Sequence, residues 1–184
     1  MLNKISITYL LFLAMFYPVI CRAGINDDLY EAARNNDIKK VDELIADGAD
    51  VNARDFADYT PLFLAIGEGN ADMVRIFIDR GAIVNAKDSL GKTPLSLAVE
   101  ENNTVIVGIL VENGADVDSV APGGYTPLML AADYSNNEIV KILIHKGADV
   151  NAKSKNGETA LSIAERKGYG GIVKLLKEAG ALPQ

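Results

Sequence analysis

The 184-residue sequence contains one cysteine, one histidine and no tryptophan. Cys21 lies in an apolar N-terminal segment, so the rest of the chain can form neither an internal disulfide nor a thiolate metal site. His145 has no second histidine to join it in a metal-ligand cluster, and its place near the end of a predicted helix favours exposure to solvent over a role as a general base. We therefore expect no metal and no cofactor.

Residue patterns typical of catalysis are also absent. Asp27-Asp28 and Glu100-Glu101 are adjacent carboxylates, but neighbours on a helix point about 100° apart and do not converge as an acid pair. Gly123-Gly124 lacks the lysine of a phosphate-binding loop and is interpreted as a turn. The sequence therefore predicts a protein that is not an enzyme and has no small-molecule substrate.

Basic residues are too few to favour binding to nucleic acid. The chain has 25 acidic and 18 basic side chains, a net charge of −7. Residues 24–136 contain 20 acidic and 8 basic side chains, whereas residues 137–184 contain 5 and 8. Duplex nucleic acid would be repelled by this surface, so no nucleic-acid partner is expected. The folded chain should be electrically polar along its length.

The first 23 residues differ from the rest. Lys4 is the only charge before a mostly apolar run from Ile5 to Ile20, and Cys21-Arg22-Ala23 places small residues where a signal peptidase cuts. Residues 1–23 are therefore predicted to be a signal peptide that is cleaved after Ala23. The mature chain would be secreted or periplasmic.

Two alternatives for this segment stay open. An uncleaved segment could anchor the protein in a membrane, although the run of about 16 residues contains Pro18 and is short for a bilayer span. Lipid modification of Cys21 is disfavoured because bulky Ile20 stands where lipoprotein signals have a small residue. After cleavage we expect no permanent membrane span.

Two markers repeat along the remaining sequence at intervals of 33 residues. The first marker is Thr60-Pro61-Leu62, Thr93-Pro94-Leu95, Thr126-Pro127-Leu128 and Thr159-Ala160-Leu161. The second is Gly48-Ala49-Asp50, Gly81-Ala82, Gly114-Ala115-Asp116, Gly147-Ala148-Asp149 and Gly180-Ala181. Two markers in one register indicate a tandem array of one structural unit.

Each unit is predicted to contain two helices and a loop. Thr93 can cap a short first helix, with Pro94 at a position where its missing N–H is not needed. Asn102-Asn103 favours a turn, and a more apolar second helix starts at Thr104 and ends before a left-handed glycine, Gly114. Leu110, on this second helix, should lie in the core. The extended residues that follow predict a projecting hairpin-like loop.

The motifs T-P-L-x-x-A and G-A-D-V-N-A resemble the ankyrin repeat. The resemblance implies an all-α solenoid, an ankyrin-type stack of helix-turn-helix repeats with projecting hairpin-like loops. It covers residues 24–184 in about five repeats. The predicted repeats are an N-terminal partial repeat at 25–50, then 51–83, 84–116, 117–149 and a C-terminal repeat at 150–184. Asp27 stands where later repeats have threonine and is predicted to be an N-cap.

Three departures from the family pattern carry expectations. Histidine usually follows T-P-L, so its hydrogen bond between repeats should be absent where the residues are Phe63, Ser96, Met129 and Ser162. Asp58 occupies a loop position that is glycine in the other repeats, so this first loop should be the most strained or mobile. Glu165 replaces an apolar residue, which suits a terminal repeat.

In the resembled family, loop tips and the exposed ends of the first helices form a concave groove that binds proteins. Carrying these positions over predicts a protein-binding site made of Phe56, Tyr59, Glu68, Leu90, Lys92, Glu100, Glu101, Tyr125, Asp133, Tyr134, Lys155, Glu158, Arg166 and Lys167. Exposed aromatic residues are typical of binding hot spots. Alternatively, Tyr59 and Tyr125 simply pack over the helix that follows them.

The function predicted from these features is non-catalytic protein binding through the concave face, by a monomer in a secretory or periplasmic compartment. The alternative is a structural or accessory envelope protein that protects or tethers a neighbouring protein without a defined groove ligand. Asn102-Asn103-Thr104 also matches an N-glycosylation acceptor, which matters only in a host that glycosylates.

Overall fold

The computed structural model describes residues 24–183, and all regular structure within them is helical. The predicted signal peptide lies outside the described residues. No described helix is long and apolar enough to cross a bilayer. The helices are α1 (24–34), α2 (Ile38–Ala46), α3 (Pro61–Gly67), α4 (Ala71–Asp79), α5 (Pro94–Glu100), α6 (Thr104–Glu112), α7 (Pro127–Asp133), α8 (Asn137–His145), α9 (Ala160–Lys167) and α10 (Gly170–Glu178).

Threonine caps start the first helix of most repeats. The Thr93 hydroxyl accepts from the Ser96 N–H at 3.2 Å, and Ser96 returns a bond to the Thr93 backbone, which confirms the predicted cap of the two-turn helix α5. Thr159 caps α9 in the same way with Ser162, and the Thr126 hydroxyl caps α7 by accepting from the Met129 N–H. Thr60 differs, because its buried hydroxyl has no hydrogen-bond partner.

The turn between the two helices of a repeat has its own 33-residue pattern. One residue takes a left-handed conformation, and the next residue caps the second helix with its side chain. The left-handed residues are Asn36, Gly69, Asn102, Ser135 and Gly168, and the capping residues are Asp37, Asn70, Asn103 and Asn136. The amide groups of Asn70 and Asn136 also donate to Asn36 and Asn102 of the preceding repeat.

The expectation that Asp27 caps the first helix is wrong. Asp27 lies inside α1, which already includes residues 24–26. Ile25 packs against the hydrophobic core, so the helix gains buried apolar area by extending past Asp27. Asn26 instead accepts a hydrogen bond from the Asp50 backbone N–H at 2.8 Å, and so joins α1 to the end of its own repeat.

The helices pack in two layers. The inner layer contains α3, α5, α7 and α9, each against the next, and the outer layer contains α4, α6, α8 and α10. Each inner helix also packs against the outer helix of its own repeat. Leu110 on α6 is fully buried between the layers, as predicted, whereas Val105 on the same helix is 60% exposed. Stability therefore comes from contacts within repeats and between neighbours.

Four loops, L1 (55–59), L2 (88–92), L3 (121–125) and L4 (154–158), project from the helices. In each loop the first residue's N–H donates to the last residue's carbonyl, at 2.9 to 3.0 Å. Asp58 in L1 takes φ of 59°, at the position where the other loops have left-handed glycines. The Asp55 carboxylate accepts from two N–H groups of L1 and stabilises this turn.

Adjacent loops are joined in two pairs. The Ser89 N–H of L2 donates to the Ala57 carbonyl of L1 at 3.1 Å, and the Lys155 N–H of L4 donates to the Gly123 carbonyl of L3 at 2.9 Å. Pro122 is the corresponding residue of L3 and has no N–H. L2 and L3 therefore cannot be joined by this bond.

A second set of bonds joins the bases of successive loops. The Asn52 amide donates to the Gly81 carbonyl at 3.1 Å and accepts from the Ile83 N–H at 2.8 Å. Asn85 and Asn151 repeat both bonds one repeat and three repeats later. Asp118 occupies the intervening position and only accepts, from the Asp149 N–H at 2.9 Å. This junction lacks a donor because aspartate has no amide.

Candidate protein-binding surface

The predicted site residues belong to a row of loops and helix ends, which we call the groove face. It consists of loops L1 to L4 and the C-terminal ends of α3, α5, α7 and α9. Ion pairs across it join loops to helix ends: Lys92 of L2 lies 2.7 Å from Glu100 of α5, and Arg166 of α9 lies 2.9 Å from Glu158 of L4. The loop row and the helix row therefore face each other across a shared surface.

Two apolar side chains stand exposed at the tips of L1 and L2. Phe56 is fully exposed and Leu90 is 68% exposed. Each is next to one end of the hydrogen bond between Ala57 and Ser89, so both belong to the same joined pair of tips. Neither side chain belongs to the hydrophobic core.

Tyr59, by contrast, packs within the protein. Its ring stacks on Phe63 of α3 with centroids 5.0 Å apart, and it is partly buried against the core. This is the packing arrangement that the sequence left open as an alternative for Tyr59. An offset stack of this kind stabilises the fold and holds L1 against the inner helix.

Tyr30 on α1 is a residue that the sequence analysis overlooked. Its hydroxyl lies 2.8 Å from the Ala53 carbonyl and also contacts the Tyr59 carbonyl. Tyr30 lies 33 residues before Phe63, at the repeat position that the sequence motif usually fills with histidine. The hydrogen bond between repeats that is expected to be absent in the later repeats is thus made by the Tyr30 hydroxyl in the first repeat. Burial, followed by the nearby Asp55 carboxylate, raises the pKa of Tyr30, which stays a neutral donor.

Two carboxylates of the groove face are exposed at helix C-termini. Glu68 caps the C-terminal end of α3, and Glu101 caps that of α5. Both are exposed and make no ion pair within residues 24–183. The last carbonyl groups of a helix carry partial negative charge, so carboxylates there are locally unfavourable. The hydrogen bond to Glu100 raises the pKa of Lys92, so Lys92 stays protonated beside Glu100.

Side chains of L3, L4 and α9 bond to one another. The Tyr125 hydroxyl of L3 donates to Glu158 of L4, which also receives a bond from Arg166. The bond from Tyr125, followed by the Arg166 charge and hydrogen bond, lowers the pKa of Glu158, and the same bond raises the pKa of Tyr125. Tyr125 thus spans neighbouring loops instead of packing only on the helix that follows it.

The C-terminal ends of α7 and α9 form a second closed contact. Lys167 lies 2.7 Å from the Asp133 carboxylate and donates to the Asp133 carbonyl at 3.0 Å. Lys167 is therefore a cation in the last turn of a helix, the arrangement that the helix dipole favours. Tyr134 beside it is 48% exposed, and Lys155 of L4 is exposed.

A cleft of about 810 Å³ lies at the N-terminal end of the groove face, between α1 and L1. Tyr30 and Phe56 line it together with four carboxylates and two arginines. His145 is exposed on the opposite layer, as predicted. Within the described part of the chain, no group of three or more His, Cys and carboxylate residues could hold a metal ion.

Comparison with protein families identifies the repeats. The family model described as ankyrin repeats (3 copies) matches residues 29–121, and the model described as ankyrin repeats (many copies) matches residues 110–164. The first model alone covers about half of the chain, and the chain belongs to the ankyrin repeat family. Such repeats are in general non-enzymatic modules for protein interaction. A search of curated proteins found no match.

Proposed function

We propose that the protein is a non-catalytic binding module whose groove face accepts a segment of another protein in a secretory or periplasmic compartment. The observation that carries the proposal is the exposure of Phe56 and Leu90 at the joined tips of L1 and L2. Contact with water is unfavourable for these side chains, and burial against a partner would reverse that. Large apolar side chains in such positions are typical anchors of protein interfaces.

The groove-face claim is tested by selection from a displayed library of random peptides against the whole protein. Bound peptides are then titrated against Phe56→Ser and against Val105→Ser, which changes a 60% exposed apolar residue on the outer layer. Loss of binding in the first variant alone supports the groove face. Equal binding by both variants and the parent protein contradicts it and favours the alternative of a structural or tethering protein.

The compartment part of the proposal depends on the first 23 residues of the sequence. A single basic residue, an apolar run and small residues before Gly24 are typical of a cleaved export signal. The mature protein acts as a monomer that begins at Gly24. Intact-mass measurement and N-terminal sequencing of protein from its host test this. A chain that begins at Met1, or a lipid on Cys21, contradicts it.

A further inference from the structure

We propose that the partner segment is basic and carries an apolar anchor, and that it binds the N-terminal half of the groove face. This half is defined as L1, L2 and the C-terminal ends of α3 and α5. The inference rests on the proposed function and adds the chemistry of the partner and its position. The C-terminal half, made of L3, L4 and the ends of α7 and α9, makes no primary contact.

The apolar anchor follows from the loop tips. Phe56 and Leu90 are exposed at the tips of L1 and L2, whereas L3 and L4 present Pro122, Gly123, Lys155 and Asn156 at the matching positions. Pro122, Gly123 and the polar side chains offer a partner less apolar area than Phe56 and Leu90 do. An apolar side chain of the partner therefore gains most by covering the tips of L1 and L2.

The basic character follows from Glu68 and Glu101. Both occupy helix C-termini, where the partial charges of the backbone repel a carboxylate, and both are unpaired. In the C-terminal half the same repeat position holds Tyr134 and Lys167, and the lysine suits its helix end. A cation of the partner would pair with these two carboxylates and offset their unfavourable interaction with the helix C-termini.

Two basic side chains of this half already have partners within residues 24–183. Lys92 is already bonded to Glu100 at 2.7 Å, and Arg54 lies 3.6 Å from Asp58 and donates to the Lys87 carbonyl. The cleft at this end has four carboxylates against two arginines, and residues 24–136 hold 20 acidic against 8 basic side chains. Long-range attraction would thus steer a basic segment to this half.

Several charged groups of the C-terminal half already have partners. Glu158 is shared by Tyr125 and Arg166, and Lys167 is held by Asp133. A partner that used these groups would first have to break contacts that they already make.

Three fluorescein-labelled nine-residue peptides serve as probes: alternating lysine and leucine, alternating glutamate and leucine, and alternating lysine and serine. Fluorescence anisotropy is recorded with the whole protein at low and high salt. We expect the lysine-leucine peptide to bind at least about tenfold more tightly than either other peptide, because only it has both charge and anchor. Its affinity should fall with salt, since exposed charges are screened.

The carboxylates are tested by the double variant Glu68→Gln with Glu101→Gln. Its affinity for the lysine-leucine peptide should fall by about fivefold while its Tm rises, because the unfavourable helix-end charges are gone. The control is Asp79→Asn with Glu112→Gln, which removes exposed, unpaired carboxylates from the C-terminal ends of the outer helices α4 and α6. It should change the affinity by less than about twofold.

The anchor is tested by Phe56→Ser with Leu90→Ser, expected to weaken the same peptide by about tenfold or more. Ile83→Ser with Val105→Ser is the matched control, since these residues are 53% and 60% exposed outside the groove face.

Three outcomes would overturn the inference. Tighter binding of the glutamate-leucine peptide, lost in the tip variant, rejects a basic partner while the proposed function stands. Equal weakening by groove and control variants shows diffuse attraction without a site. If neither the defined probes nor the displayed peptides depend on Phe56, the proposed function fails as well.

Discussion

The two halves of the groove face use equivalent repeat positions in opposite ways. In the N-terminal half the exposed positions include apolar tips and unpaired carboxylates, whereas in the C-terminal half Tyr125 bonds to Glu158 and Lys167 to Asp133. At the helix ends, Glu101 opposes the helix dipole and Lys167 accords with it. The same scaffold therefore has more paired side chains in one half of the groove face than in the other.

The boundary between the halves is a chemical feature of the loops. Ser89 and Lys155 each donate a backbone bond to the loop before, and Pro122 cannot. L1 with L2, and L3 with L4, are thus two pairs on a shared stack of helices. Repeats that share a backbone geometry can therefore differ in which of their side chains stay unpaired and which bond to one another.

The largest expected effect concerns the hydrophobic core that supports both halves. Leu110→Ala should lower the free energy of unfolding by about 2 to 5 kcal/mol, because it leaves a cavity where α6 meets both layers. Denaturant melts measure it, with Val105→Ala on the same helix as the exposed control. A loss below about 0.5 kcal/mol for Leu110→Ala would show that this position is not a core site.

A smaller effect is expected where L3 meets L4. Asp118→Asn should raise the free energy of unfolding by about 0.5 to 1 kcal/mol, because it supplies the amide donor that Asn85 and Asn151 have. The reverse change, Asn85→Asp, should lower stability by a similar amount. Thermal melts of both variants measure these changes in stability. If Asp118→Asn leaves the stability unchanged, the added amide donor has found no acceptor.

Exchanging charges between the halves sharpens the comparison of helix ends. Glu101→Lys should stabilise the fold and Lys167→Glu should destabilise it, each by about 0.3 to 1 kcal/mol at low salt. Lys153→Glu is the control, since it matches the charge change of Lys167→Glu at an exposed loop position away from a helix end. If Lys167→Glu is no more harmful than the control, the helix-end argument is wrong.

The smallest expected effect concerns Glu158. Because its pKa is lowered in the folded state, its contribution to stability is present above its unfolded pKa of about 4.3 and is lost as the pH falls through the folded value. Tyr125→Phe removes the largest cause of the shift, so the pKa of Glu158 should rise. Carboxyl NMR titration measures this. An unchanged pKa would assign the shift to Arg166 alone.

Much of the fold could be predicted from the sequence because the same 33-residue pattern occurs in several repeats. The cap at Thr93 and the left-handed turn at Asp58 depend on local chemistry alone: a threonine hydroxyl can cap a helix, and aspartate tolerates a positive φ. The expectation that Asp27 is an N-cap is wrong because the extension of α1 depends on the tertiary packing of Ile25 and not on local capping. Tyr30 was missed because its bond reaches a loop 23 residues away, although a 33-residue step from Phe63 would have found it.

The candidate site was less predictable than the fold. Repeat position identified the residues of the groove face, but it could not distinguish free from paired side chains. Glu68 and Glu158 are both acidic residues of the predicted site, and only three-dimensional contacts show that Glu158 is bonded and Glu68 is not. The packing of Tyr59 on Phe63 was likewise one of two alternatives until the rings were placed.

The claim that the N-terminal half is the binding half is tested most directly by photo-crosslinking at equivalent positions. Leu90→p-benzoylphenylalanine and Asn156→p-benzoylphenylalanine place the same reactive group at matching exposed positions of L2 and L4. Each variant is irradiated with the lysine-leucine peptide and the crosslinked product is quantified by mass spectrometry. The account predicts a strong product from position 90 and little from position 156. Equal yields, or a greater yield from position 156, would contradict it.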